Sequence, residues 1–240
     1  MSPAPEIVLL AHGSPDPRHA AGVEALAGRV RERAPGRPVH TAYLDHHRPS
    51  PVDAAVGLTG PAVVVPVLVT PAFHAVVDIP EALSQMEARA VWAVDAAPPL
   101  GPHPLLLDAA EELLTGHGIV AHPGTAVILY AAGSSDSAAV ATISETLRES
   151  PRSGWGLWSV AALDGGATIE QVLRSLPDEV ERTVAVSFMV AEGVLRDRMA
   201  QRCGQAGVTM VPGALARTEA VAQLVLERAD SLEPADSLPA

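Results

Sequence analysis

The hydrophobic positions along this chain follow two alternating rhythms. Glu6–Ala11 (EIVLLA) is an apolar run of strand length, the pattern of a parallel strand covered on both faces. Asp16-Pro17 then supplies an N-cap and a proline at the first helical position. Val23, Leu26 and Val30 recur at helical spacing and predict a helix ending near Ala34-Pro35-Gly36. Pro38–Leu44 predicts a second strand and Ala62–Val69 a third; Asp78-Ile79-Pro80 opens a helix through about Arg89, and Ala90–Val94 is the fourth strand. A further helix is expected around Leu105–Thr115, between the stretches Ala97–Pro104 and Gly118–Gly124. Strands and helices in alternation imply a parallel sheet with helices on both faces.

The rhythm occurs twice. Leu9–Asp16 aligns with Leu129–Asp136 at a displacement of 120, Ala42–Asp45 with Ala161–Asp164 at 119, and Val63–His74 with Val184–Leu195 at 121. Three matches in the same order make the chain a tandem. The expected fold class is therefore α/β: two Rossmann-like, doubly wound parallel-sheet halves facing a central cleft. Residues 1–122 form the first half and 123–240 the second, with a polar tail after Asp230 expected to fray. His12 and His74 become Ala132 and Leu195 in the second copy. Chemistry is expected in the first half, with the second as a wall or lid.

Composition narrows the classes. Among 240 residues, 48% are hydrophobic and 18% charged, with mean hydropathy +0.22, which excludes global disorder. A single cysteine, Cys203, excludes a disulfide framework, a zinc knuckle and a cysteine-ligated iron–sulfur cluster. Formal charge of −12 and pI about 5.1 offer no basic surface for nucleic acid or an anionic membrane. All 16 basic residues are arginines, a coding bias that also excludes a catalytic lysine. The first residues lack the basic segment of a signal peptide. The longest apolar stretch, Ala62–Ile79, is broken by Pro66, Pro71, His74 and Asp78, so no membrane span is expected and a cytoplasmic protein is.

Ligands of open parallel sheets bind beyond the carboxyl ends of the strands. His12 follows strand one, Asp45 follows strand two, and His74 lies five residues past Val69. With a strand order 2-1-3, His12 is central and the other two flank it. Two imidazoles and a carboxylate suit a first-row divalent metal and leave positions open for exchange. Read singly, each residue has an ordinary role: a tight His-Gly-Ser turn, a satisfied core histidine, an aspartate that caps or pairs. Their joint placement, and the loss of both histidines from the second copy, is what singles them out. His46 and His47 read as surface loop residues, with spare ligands the alternative. His19, His40, His103, His117 and His122 read as solvated or capping residues, and Cys203 as an inert, half-buried thiol. Gly13, Ser14 and Asp16 offer a weak anion cradle, and the charge of Asp16 argues against phosphate there.

The segments Leu10–Arg18, Tyr43–Pro49 and Val65–Pro80 resemble the class II chelatases, the sirohydrochlorin chelatases of siroheme and cobalamin synthesis. Degenerate copies at Ala131–Asp136 and Phe188–Gly193 extend the likeness over nearly the whole chain. The resemblance implies a lyase that inserts Fe²⁺ or Co²⁺, as metal substrate, into sirohydrochlorin or a related tetrapyrrole, with no nucleotide and no permanent cofactor. It implies that His12 ligates metal and accepts a pyrrole proton, and that His74 is the second histidine of the site. Asp45 stands where many relatives have glutamate, one methylene longer, and Ala72 where glycine is common. A substrate bearing up to eight carboxylates calls for local arginines; Arg18, Arg48 and the group Arg196, Arg198 and Arg202 are the candidates, with Ser14 beside them. A non-catalytic carrier of metal or tetrapyrrole is the alternative. Phosphoryl transfer through His12 is weaker, because no arginine precedes the His-Gly pair and no P-loop occurs. With both walls in one chain, a monomer is expected.

Overall fold

Each half of the chain builds a four-stranded parallel sheet in the same way. The computed structural model describes residues 4–70, 73–133 and 137–232, apart from the side chains of residues 73–77 and 137. The first half runs β1 (Glu6–Ala11), α1 (Pro17–Arg33), β2 (Val39–Tyr43), α2 (Pro51–Gly57), β3 (Ala62–Pro66), α3 (Phe73–Glu87), β4 (Val94–Ala96) and α4 (Leu105–Gly116). The second runs β5 (Thr125–Gly133), α5 (Ser137–Glu149), β6 (Leu157–Asp164), α6 (Ile169–Arg174), β7 (Arg182–Ser187), α7 (Val194–Gln205), β8 (Thr209–Met210), a 3-10 turn at Leu215–Arg217, and α8 (Glu219–Asp230). Strand orders are β2-β1-β3-β4 and β6-β5-β7-β8, with every pairing parallel. The expected tandem α/β fold is present, and β1 lies between β2 and β3 as the 2-1-3 order requires.

Burial follows the pleat. Ile7, Leu9 and Ala11 of β1 face one core while Val8 and Leu10 face another. In β5, Val127, Leu129 and Ala131 join that same first core, and Ile128 and Tyr130 face a third. One apolar interior is thus shared by both sheets, filled by α1, α4 and α8. The outer faces are covered separately, by α2 and α3 on the first sheet and by α6 and α7 on the second.

The last helix of each half crosses to the other. α4 packs on β7, and α8 packs on β3, α1 and α4. Polar groups stitch the exchange: the Glu112 carboxylate accepts from the backbone N–H groups of Glu219 and Ala220, capping α8. Arg29 and Arg33 of α1 both pair with Glu219, and Arg37 pairs with Asp230 at 2.6 Å.

α1 begins as its sequence predicts, with Asp16 as N-cap and Pro17 at the first position, and it buries Val23, Leu26, Ala27 and Val30. Three predicted features shift, and one helix is added. The third strand stops at Pro66 rather than Val69, because the Leu68 N–H turns back to the Pro66 carbonyl. α3 starts at Phe73, and Pro80 lies inside it rather than at its opening. A proline removes one amide from the helix ladder, and the buried face of Ile79, Ala82 and Met86 holds the rest. The fourth strand is Val94–Ala96, not Ala90–Val94, since Ala88, Arg89 and Ala90 spend their N–H groups closing α3 and Val91 is left exposed. α2 was not expected, although Ser50 and Asp53 spell a capping box after which Pro51 sits at the first position. The tail beyond residue 232 lies outside the described residues.

One contact recurs at equivalent places. Gly13 has φ +97°, and a Cβ there would stand 1.9 Å from the Asp45 carbonyl oxygen; Gly133 has φ +85°, with the Asp164 carbonyl oxygen 1.8 Å from such a Cβ. Only glycine fits either turn. Gly13→Ala is expected to cost about 1–3 kcal/mol in urea unfolding. Gly28→Ala, inside α1 with nothing within 4 Å of the added carbon, is expected to gain about 0.5–1 kcal/mol. An unchanged unfolding midpoint for Gly13→Ala would show that the turn tolerates a side chain.

Candidate metal pocket and interdomain cleft

The Gly13 turn places the first two candidate residues. Beyond the ends of β1 and β2 the ladder continues, with Leu44 N–H donating to Ala11 O at 3.0 Å and Asp45 N–H to His12 O at 2.9 Å. His12 and Asp45 are therefore neighbours at the carboxyl edge of the sheet. His12 Nδ1 lies 3.3 Å from the Gly13 carbonyl, a bond that needs the proton on Nδ1. Both side chains line a pocket with Leu44, Pro51 and the α3 residues Asp78, Glu81, Ala82 and Gln85. Asp78 and Glu81, one helical turn apart, bring further negative charge to it.

Asp45 is exposed, and one carboxylate oxygen accepts the His46 N–H at 2.7 Å while the other faces His46 Nε2 at 3.2 Å. His46 has φ +64°, a left-handed conformation unusual outside glycine. His74 lies in the first turn of α3 rather than in a loop; its side chain is outside the described residues. Among the described residues, no three His, Cys, Asp or Glu side chains gather closely enough to hold a metal ion.

A second opening lies between the carboxyl ends of the two sheets. It encloses about 690 Å³, open solvent at its mouth included, and is walled by residues 67–70 after β3, residues 131–133 at the end of β5, Ala139 and Val140 of α5, residues 188–191 after β7, and His19 of α1. Its surface is mostly apolar. The expected central cleft is present, and the positions that replaced His12 and its neighbours, Ala131, Ala132 and Gly133, form part of its second wall.

Four of the five candidate arginines, Arg18, Arg48, Arg196 and Arg202, have partners within the protein. Arg18 makes bidentate contacts to Asp16 and Asp197, both with closest approaches of 2.6 Å, and so ties the loop after β1 to the first turn of α7. Its guanidinium holds the pKa of both carboxyls below the usual aspartate range. Ser14 Oγ accepts the Asp16 N–H at 3.2 Å. Arg48 pairs with Asp53 at 2.6 Å, Arg196 donates to the Val211 carbonyl, and Arg202 lies 3.9 Å from Glu170.

Three of the five histidines read as solvated or capping do use backbone groups. His103 and His122 accept from the N–H groups of Leu105 and Gly124, and His117 meets the Leu113 carbonyl. His40 instead pairs with buried Glu6 at 2.7 Å. His19 departs most, since it lines the cleft and its Nδ1 is buried without a partner. The signal was available: residues 19, 23, 26 and 30 continue one stripe of α1. His47, expected at the surface, packs edge-on against Tyr43 at 5.3 Å with a buried, unpartnered Nε2. Cys203 is fully buried rather than half-buried, and burial pushes its thiol up to about 11. Among the described residues no helix is long and apolar enough to cross a membrane.

Residues 6–116 match the CbiX family. No curated protein sequence matches the chain. SirB from Bacillus subtilis with Fe³⁺ is similar in structure, at 20% identity and TM-score 0.76 over 95% of each chain. The sirohydrochlorin chelatase SirB from Bacillus subtilis subspecies spizizenii, in complex with cobalt, is similar at 18% identity and TM-score 0.71, again over 95% of each chain. CbiX, described as the terminal enzyme for siroheme biosynthesis in denitrifying bacteria, is 21% identical with TM-score 0.67 over 95% of this chain and 100% of that one. At such identities the structural likeness speaks for the fold. The chain has the two-sheet chelatase fold, and the stretch that matches the CbiX family, residues 6–116, is the one that carries His12, Asp45 and His74.

Proposed function

We propose that this chain inserts Fe²⁺ or Co²⁺ into sirohydrochlorin or a related tetrapyrrole, on the way to siroheme or cobalamin. The observation that carries the reading is the pairing of His12 and Asp45 at the rim of an acidic pocket, at the same sheet edge that opens on an apolar cleft. Iron and cobalt accompany the similar SirB structures, and siroheme synthesis is the role of the similar CbiX.

In this reading residues 1–122 carry the metal site and residues 123–240 form the opposite wall, with one chain supplying both. His12 Nε2 and the Asp45 carboxylate take the incoming ion, with His74 as third ligand. An open, few-ligand site holds a divalent ion weakly enough to surrender it. Asp78 and Glu81 raise the local cation concentration at the pocket. The macrocycle lays its apolar face in the cleft, where water is displaced at little cost. Its carboxylates meet Ser14, Arg18 and Arg48 at the edges. A substrate carboxylate reaches Arg18 by displacing Asp197, whose side chain is half exposed.

The test is an anaerobic absorbance assay of sirohydrochlorin with Co²⁺ or Fe²⁺. The wild-type protein is expected to accelerate metallation; a carrier would bind both components and leave the rate unchanged. His12→Ala is expected to lower the rate by about 10²–10⁴-fold with an unchanged unfolding midpoint. Asp45→Ala is expected to lose less, about 10- to 100-fold. Wild-type turnover in His12→Ala would remove that residue from the site, and an unaltered rate in Asp45→Ala would make Asp45 structural. Joint replacement of Asp78 by Asn and Glu81 by Gln is expected to raise the half-saturating metal concentration about tenfold at low salt, the effect fading at high ionic strength. An equal metal dependence in that double variant would deny the pocket a role in cation capture.

A further inference from the structure

Metallation of a tetrapyrrole by a divalent ion releases two pyrrole protons, and the single imidazole lone pair of His12 cannot hold the ion and take both. On the chelatase reading above, a separate acceptor belongs on the cleft side. Of the described residues that wall the cleft, His19 is the one with a titratable side chain; the rest are Val, Leu, Thr, Ala, Gly, Phe and Met. His19 also extends the buried stripe of α1 by one turn, at a place where an apolar residue would pack without leaving a polar atom stranded. Its Nδ1 is instead buried without a partner, a cost with no structural return.

We propose that His19 is a second catalytic residue, the acceptor of one pyrrole proton from a tetrapyrrole seated in the cleft. In the step, one pyrrole N–H bond breaks, its electron pair stays on nitrogen and is donated to the metal, and the proton passes to the His19 imidazole. The second proton leaves to water at the cleft mouth, and the imidazolium later discharges its own proton the same way. The charge balance is a dication in and two protons out.

The surroundings suit that role. Burial, then the nearby imidazoles of His47 and His12, hold the His19 imidazolium below the ordinary histidine range, while Asp16 pulls the other way. Asp16 is itself held by Arg18, and among the described residues the second wall of the cleft, from β5, α5 and β7, brings only uncharged side chains. The ring is therefore neutral and ready at neutral pH. A metal on the ring nitrogens makes the remaining N–H acidic, so a weak base suffices, and an imidazolium that its pocket disfavours is quick to release its proton.

The experiment compares wild type, His19→Gln and His19→Ala in single-turnover metallation of sirohydrochlorin with Co²⁺, across pH, alongside Co²⁺ titration of the protein alone. Both variants are expected to lose about 10²-fold or more in rate. Both keep the wild-type Co²⁺ affinity and unfolding midpoint. The fall in rate toward acid pH flattens in His19→Gln, and added imidazole restores part of the rate in His19→Ala. Either variant turning over at the wild-type rate with the wild-type pH profile overturns the proposal, as does a loss of Co²⁺ affinity equal to the loss of rate. If the wild-type protein leaves the uncatalysed rate unchanged, it is the chelatase reading that fails, which separates the two outcomes.

Discussion

The carbonyl of Asp45 lies where a side chain on residue 13 would be, and the site depends on that vacancy. Because Gly13 has no Cβ, the loop after β2 closes onto the loop after β1, and the Asp45 amide reaches the His12 carbonyl. Two extra rungs of backbone hydrogen bonding then carry the sheet past the ends of its strands. His12 and Asp45 are thereby fixed by main-chain geometry rather than by side-chain packing. The same contact between Gly133 and Asp164 in the second half shows that the turn is a property of the fold, independent of any histidine.

The two halves have kept that scaffold and divided the chemistry. At the end of β1 stand His12, Asp45, Asp78 and Glu81 around one pocket; the corresponding edge of the second sheet contributes Ala131, Ala132, Gly133, Phe188 and Met189 to the cleft. Polar atoms that a cation needs and apolar surface that a planar ring system needs are difficult to reconcile in one cavity. Duplication places them side by side, with Arg18 bridging the junction through Asp16 and Asp197. A chain of charge −12 can thus pair its carboxylates locally and still present cationic groups near the cleft.

Much of this was legible in the sequence because it is local. The alternation of strands and helices, the helix start at Asp16-Pro17 and the repeat follow from runs, caps and spacing that neighbouring residues decide, whereas the 2-1-3 strand order entered as an assumption that the pairing of β1 with β2 and β3 bears out. What was misread depends on tertiary context. Pro80 resembles a helix start, yet the buried face through Ile79 and Met86 carries α3 back to Phe73. Ala90–Val94 has strand composition, but its first residues finish a helix. His19 and His47 carry the same side chain as the surface histidines, and only the packing of α1 and Tyr43 around them takes them out of solvent. The crossing of α4 and α8 to opposite sheets has no local signature at all.

That crossing has a consequence for how the protein is made. The inner face of β3 is covered by α8, whose residues, Glu219–Asp230, form the last helix among the described residues. A ribosome delivering residues from the N-terminus releases the whole first sheet long before its cover emerges. The nascent first half must wait with apolar surface bare, a natural client for chaperones, until residues 219–230 emerge and α8 docks to close both sheets together.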